Sequence, residues 1–212
     1  MKERRHLLLV SYLAVVALLV YALNADRAYD DPYITYRYAA NLRAGNGFVY
    51  NSGERVLSTT TPLYALLLAV LGHVWRDLPQ LSNFISAVSL SVGAYFIYRL
   101  SKTWRTHVTG WVGAMIFPLS ALMISTLGAE TCFYVMLILA ALFCYAEDRV
   151  VWAMAMAALA TLTRSDGVLI GAVIGLGHLV KHRRIPWSAV GVYAVIIAPW
   201  YLFSWLYFGA PF

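Results

Sequence analysis

Long apolar runs punctuated by short charged stretches set the pattern of this chain. Crossing the hydrocarbon core of a bilayer takes about 20 apolar helical residues. Residues 7–23, 81–98, 108–127 and 186–208 come close to or exceed that length, whereas 131–146, 150–163 and 167–180 are shorter and bounded by charges. The run 62–75 has only 14 residues, a length of re-entrant or surface helices. Basic residues settle how to count it. They cluster at 2–5, 99–105 and 181–184, and short Lys/Arg-rich loops belong on the cytoplasmic side. If 62–75 crossed, the middle cluster would face opposite to the other two. If it does not cross, all three share the cytoplasmic side. The pattern therefore predicts an all-α polytopic membrane protein of about seven transmembrane helices in a single module. The first span is 7–23, an outer loop with surface helices covers 25–80, and the remaining spans lie within 81–208.

Within the outer loop, Asp31 followed by Pro32 reads as a helix start, an acceptor at the N-cap and proline at the first helical position. The helix runs to about Ala44, with Gly45 as its stop. Ile34, Tyr38 and Leu42 share one face, and Tyr33, Tyr36 and Tyr38 suit the headgroup level, so the spacing predicts a helix lying on the membrane. Asn51-Ser52-Gly53 reads as a turn. Gly167, Gly171 and Gly175 repeat every four residues, a smooth face for close helix packing. Pro118 and Pro199 are expected to kink their helices.

Composition sharpens this reading. The chain is 61% hydrophobic and 12% charged, about half the charged share of a soluble domain. Its net charge of +6 sits in loops between apolar runs, with no folded basic face, so nucleic acid is not an expected partner. Cys132 and Cys144 lie in one apolar run and read as packing or lipid-facing residues. Residues 2–25 have the outline of a signal peptide, but the apolar run is long for one and Leu23 fits poorly three residues before Ala25, so an uncleaved first helix with a cytoplasmic amino terminus is preferred.

Against this apolar background the charged residues of the outer side stand out. Asp30 and Asp31 are adjacent carboxylates where the first span emerges into water. Such a pair needs a cation, a basic partner or good solvation. Either acid can serve as a general base, and the pair can help hold a divalent ion; as plain structure, Asp31 caps a helix and Asp30 is a solvated surface acid. Glu130, in Gly-Ala-Glu-Thr between two spans, is the third acid, with a first-turn helix acid as its plain role. Arg164, Ser165 and Asp166 interrupt two apolar runs on the same side. They are either an interfacial salt bridge or, through Arg164, a phosphate site. Arg37 and Arg55 are further phosphate candidates, or arginines snorkelling from a surface helix. With Tyr33, Arg164 and Asp166 they make up the candidate substrate-binding residues. His178 and His182, four apart beside Lys181, Arg183 and Arg184, are a weak metal pair. There is no glycine-rich phosphate loop and no nucleophile triad.

Taken together, these segments resemble the first outer loop of GT-C-type integral-membrane glycosyltransferases. The family-39-like group includes protein O-mannosyltransferases, lipid A aminoarabinose transferases and mycobacterial arabinofuranosyltransferases. The pattern is carried by Asp30, Asp31, Tyr33, Ile34, Tyr36, Arg37, Tyr38 and Ala39. It continues through Asn41-Leu42, Gly45, Gly47, Asn51, Gly53-Glu54-Arg55-Val56 and Thr61-Pro62-Leu63. Gly128-Ala129-Glu130-Thr131, the segment Leu162 to Gly167 and Tyr207-Phe208-Gly209 match recurring patterns as well. The resemblance implies a cell-membrane enzyme with its active site on the outer face. Such an enzyme moves a sugar from a polyprenyl-phosphate donor to an acceptor hydroxyl on a glycan, lipid or protein, usually with inversion. It implies Asp30 as base, and Asp31 and Glu130 as orienting or metal-binding acids. It also implies basic residues on the carrier phosphate and, in some relatives, a divalent cation such as Mg or Mn; Asp30, Asp31 and Glu130 are its candidate ligands. Relatives run well beyond this length. The end at Ala210-Pro211-Phe212 therefore reads as a truncation, a fragment or half of a two-chain enzyme. A lipid-sugar flippase and a non-catalytic membrane subunit are the competing classes. Charges at the ends of the runs and the lack of an internal repeat speak against a transporter.

Overall fold

The computed structural model describes residues 2–209, with side chains from Arg4 onward; the expected truncation point at 210–212 lies outside these residues. Every regular element among them is helical, as the apolar periodicity predicts. Ten α-helices follow in order: α1 Lys2–Asn24, α2 Pro32–Arg43, α3 Pro62–Leu71, α4 Leu78–Thr103, α5 His107–Ile116, α6 Ala121–Ser125, α7 Thr131–Ala146, α8 Val150–Thr163, α9 Val168–His182 and α10 Trp187–Phe208. Four segments are long and apolar enough to cross a membrane, namely α1, α4, the stretch His107–Ser125 and α10. Helices α7, α8 and α9, of 16, 14 and 15 residues, are shorter.

Side-chain contacts sort the helix ends into two groups. Arg5 and Lys102 line one cavity, Thr103 donates to Glu147, and Asp148 pairs with Lys181. These contacts bring the three basic clusters to one end of the bundle. At the other end Asn83 donates to the Ala25 and Arg27 carbonyls, Arg27 donates to the Ile124 carbonyl, and Arg164 pairs with Glu130. Among the described residues seven helical segments run between the two ends, α1, α4, α5 with α6, α7, α8, α9 and α10, of which four are long and apolar enough to cross a membrane. Helices α2 and α3 sit at the second end without crossing. Ten residues of α3 rise about 15 Å, half of a ~30 Å core, consistent with the expected non-spanning helix.

Helix α4 is the hub, 61% buried over its apolar window against 28% for α1, 17% for His107–Ser125 and 11% for α10. It is longer than the 81–98 run because Asp77 caps it, accepting from the Gln80 backbone N–H at 2.9 Å. Helix α1 packs on α4 through Leu9, Leu13, Val16 and Val20 and is an integral part of the bundle. Helix α8 is lined with buried Ala153, Ala155, Ala157, Ala158 and Ala160, small residues that let α7, α9 and α10 approach closely. Cys132 packs into the cluster that joins α1, α4 and α7.

Several local expectations are met or corrected. The α2 stop is a Schellman motif: Gly45 at φ +81° donates to Leu42 and Asn46 donates to Asn41. The glycine stripe is close-packed at Gly167, against the Ala160–Thr161 backbone, and at Gly171, against the Tyr193 ring, while Gly175 faces open space. Pro118 does more than kink its helix. The chain passes through a 3-10 turn, Phe117–Leu119, to extended Ser120 before α6 resumes, because proline has no N–H to offer and crowds the preceding turn. Pro199 sits inside an unbroken α10. The His178 and His182 rings lie 4.4 Å apart, tilted by 33°, beside the Lys181–Asp148 ion pair. Of the three tyrosines of α2, only Tyr33 is exposed. Tyr36 and Tyr38 are buried, and each hydroxyl reaches a loop carbonyl, Gly128 and Val56 respectively, at 2.6 Å. A phenol with a buried partner for its O–H is better used as a structural pin than at the interface.

Candidate active site

Asp31 turns the chain into α2. It already has helical φ and ψ, −54° and −44°, and makes no side-chain capping bond. The expected N-cap hydrogen bond is therefore absent, although the helix N-terminus still favours an ionised carboxylate there. Asp31 lines a cavity of about 280 Å³ together with Tyr29, Thr35, Glu130 and Arg164. One side of the wall is the hydroxyl run Ser58, Thr59, Thr60 and Thr61.

Glu130 is positioned by a buried polar network. Its loop begins at Gly128, whose carbonyl accepts from both Tyr36 Oη and Ser82 Oγ at 2.6 Å. Tyr64 Oη bonds Ser82 Oγ at 2.7 Å, and Ser86 Oγ donates to the Ala129 carbonyl at 3.3 Å. Helices α2, α3 and α4 thus all hold this one loop. Burial pushes the Tyr36 hydroxyl up to about 12, despite the opposing hydrogen bond with Ser82, so it stays a neutral donor at any physiological pH.

Gly128 is required by its backbone, at φ +92°. A Cβ there would also lie 3.1 Å from both Asn83 Oδ1 and Tyr36 Oη. Gly128→Ala should therefore destabilise the fold by roughly 2–3 kcal/mol, adding crowding to a left-handed cost of about 1–2 kcal/mol. Gly45→Ala, at φ +81° with nothing within 4 Å, should show the backbone part only. Thermal unfolding in detergent checks this, and equal shifts for the two variants would contradict the pinned-loop geometry.

Arg164 follows α8 with extended backbone, φ −150° and ψ 134°, before the 3-10 turn Ser165–Gly167. That break aims the guanidinium back at Glu130, with Nη1 to Oε1 at 2.9 Å, while Nε meets Asp166 Oδ1 at 3.3 Å. Tyr134 lies beneath it, 5.6 Å from Cζ. Burial works against the cation, but the hydrogen bonds and charges of Asp166 and Glu130 outweigh it and hold Arg164 above its ordinary pKa. The Glu130 side chain is 14% exposed and that of Arg164 41% exposed, so the pair opens to solvent on the arginine side.

The structure brings Asp31, Glu130 and Arg164 to one cavity and keeps other candidates apart from it. Asp30 is exposed on the preceding turn and is absent from the cavity wall. Asp166 reaches the site only through Arg164. Tyr33 and Arg37 line a different cavity, where Arg37 donates to the Tyr50 carbonyl at 2.9 Å and lies over the Tyr50 ring. Arg55 stacks over Tyr207, 4.6 Å from the ring centre. Arg37 is thus engaged by Tyr50 of the loop 47–57, and Arg55 of that loop by Tyr207 of α10. Sequence reasoning missed Tyr29 and the wall 58–60, although three consecutive hydroxyl residues beside a membrane segment were a usable signal. A second cavity, about 240 Å³, shares that wall and adds Thr161, Ser165, Trp200 and Tyr201.

Among the described residues no three His, Cys, Asp or Glu side chains gather as ion ligands. The donor set fits Mg²⁺ only in its usual mode, one or two carboxylates completed by substrate phosphate oxygens. Asp31, Glu130 and Arg164 leave the cavity wall one net negative charge, which makes a cation useful once a phosphate enters.

Comparison with known proteins gives one match of note. No protein-family model matches the chain, and no solved structure matches it. Over 97 residues it is 32% identical to a terminal beta-(1->2)-arabinofuranosyltransferase of Mycobacterium tuberculosis. The match covers 42% of this chain and 16% of that enzyme.

Proposed function

We propose that this chain is a glycosyltransferase of the GT-C type, and that it moves a sugar from a polyprenyl-phosphate donor to an acceptor hydroxyl at the outer membrane face. What supports this most is the cavity that joins an unbonded carboxylate, Asp31, to a carboxylate–guanidinium pair, Glu130 and Arg164. The similarity to an arabinofuranosyltransferase points to the same chemistry.

The acceptor hydroxyl loses its proton to a carboxylate of the Asp30–Asp31 pair as its oxygen attacks the anomeric carbon. The bond from that carbon to the phosphate oxygen breaks, and polyprenyl phosphate leaves with the electron pair. Geometry favours Asp31 over Asp30 as the base, since Asp31 lines the cavity. Arg164 meets the negative charge that grows on the leaving phosphate, and Glu130 and Asp166 hold its planar fork in place. Glu130, with donor phosphate oxygens, would hold a divalent ion such as Mg or Mn, which supplies further charge compensation there. The hydroxyls of residues 58–61 offer partners for sugar or phosphate oxygens.

Native membranes, where any further segment or partner is present, are the place to test this. Membranes carrying the chain should release polyprenyl phosphate from a labelled polyprenyl-phosphate pentose and place the label on an acceptor. No transfer from any polyprenyl-phosphate sugar, with the chain folded, would overturn the proposal. The topology is testable separately: cysteines at Ser52 and Ser165 should react with an impermeant thiol reagent from outside, and one at Thr103 should not. Outside labelling at Thr103 would reverse the assigned orientation.

A further inference from the structure

We propose that the cavity at the basic end of the bundle binds the phosphate headgroup of an anionic membrane lipid. It measures about 470 Å³ and is lined by Arg5, Tyr98, Lys102, His107 and Trp111. The start of α1, the end of α4 and the start of α5 each contribute. None of these lining residues is acidic, and Arg5 and Lys102 join none of the ion pairs among the described residues. Lys102 Nζ is held 4.4 Å above the Tyr98 ring, which meets Trp111 edge-on at 5.1 Å. The ammonium group is thus kept at the cavity by an aromatic floor. His107 opens α5, so the unpaired N–H groups of that helix end stand at the same place.

Two cations, an imidazole and a helix N-terminus around one hollow select an anion with several acceptor oxygens. Its surroundings select a lipid over a free ion. Leu7, Leu8, Trp104 and Val108, neighbours in sequence of the lining residues, are exposed at 65%, 62%, 62% and 79%. The same α1–α4 seam carries an apolar groove of about 540 Å³, lined by residues that include Leu13, Ala17, Phe84, Val88 and Tyr95. Tyr95 of this groove is one helical turn from Tyr98 of the basic cavity. Inorganic phosphate gains nothing from such walls, whereas a phospholipid places charge and acyl chain on matching surfaces. Basic pockets between membrane helices are suited to this task. The inference does not depend on the catalytic reading, because the cavity is at the opposite end of the bundle from Asp31 and Arg164.

The test is lipid retention by the purified chain in nanodiscs, read by native mass spectrometry. Phosphatidylglycerol should be retained over phosphatidylcholine by on the order of 10-fold or more. Arg5→Gln and Lys102→Gln should each reduce that preference about five-fold, as expected for removing one cation near an anionic lipid. Lys102→Arg should keep it, which separates loss of charge from loss of folding. Arg184→Gln removes an exposed charge at the same end, outside the cavity, and should leave the preference unchanged. Equal retention of the two lipids would overturn the proposal. So would an equal loss in Arg184→Gln, which would mean diffuse surface charge, or full displacement of the lipid by inorganic phosphate, which would mean a soluble-anion site.

Discussion

Asp31→Asn should lower sugar transfer by about 100- to 10,000-fold, the usual contribution of a positioned general base. The amide keeps the size of the carboxylate but cannot take the acceptor's proton. Because Asp31 makes no capping hydrogen bond, the substitution should cost the fold little. The informative comparison is Asp30→Asn. The family resemblance implies Asp30 as the base, while the geometry places Asp31 on the cavity wall and Asp30 on the exposed turn beside it. Initial rates of transfer in native membranes, normalised to the amount of folded protein, decide between them. A large loss in Asp31→Asn with a small one in Asp30→Asn supports the geometric assignment. The reverse order returns the role to Asp30.

Arg164→Gln should cost about 100- to 1,000-fold in transfer, the range seen when a preorganised donor to developing negative charge is removed. The loss should appear in kcat/KM, with donor binding weakened as well, because in the proposed mechanism the cation would serve both the bound phosphate and the leaving group. Stability should fall by less, on the order of 1 kcal/mol. Glu130 keeps some solvent contact at 14% exposure, and Arg164 is 41% exposed, which limits what the pair contributes. Arg164→Lys should recover only part of the activity, since an ammonium group cannot bridge Glu130 and Asp166 as a planar fork. Adding Glu130→Gln to Arg164→Gln should cost less than the two single losses combined, because the residues act as one unit. Strict additivity, measured by the same rates, would separate them.

The fold was largely readable from the chain, and physical reasons explain where reading stopped. Apolar run length and the basic clusters predict the helical passes and the common end shared by Arg5, Lys102 and Lys181, because these follow from composition per segment. The short α3 and the Gly45 stop are local events and were legible for the same reason. The buried fate of Tyr36 and Tyr38 was not. It depends on carbonyls at Gly128 and Val56, 92 and 18 residues away, that only the tertiary fold brings near. The break at Ser120 exceeds a local kink for a similar reason, since the segments on its two sides pack differently. In the candidate site, sequence singled out Asp31, Glu130 and Arg164 as charges out of place in an apolar chain. It marked Asp31 as the helix cap and, through the resemblance, Asp30 as the base; which of the two carboxylates lines the cavity depends on how residues 58–61 and 129–131 pack against α2, which sequence neighbours do not reveal. Nor could it see that Arg37 and Arg55 are occupied by Tyr50 and Tyr207.

The most direct measurement is the fate of the donor. In proteoliposomes containing the complete protein, a polyprenyl-phosphate sugar labelled in both halves should yield free polyprenyl phosphate and glycosylated acceptor in equal amounts. Both products should fall together in Asp31→Asn and Arg164→Gln. Recovery of the intact donor on the opposite leaflet, with no free polyprenyl phosphate, would contradict the account and mark the chain as a lipid-sugar transporter.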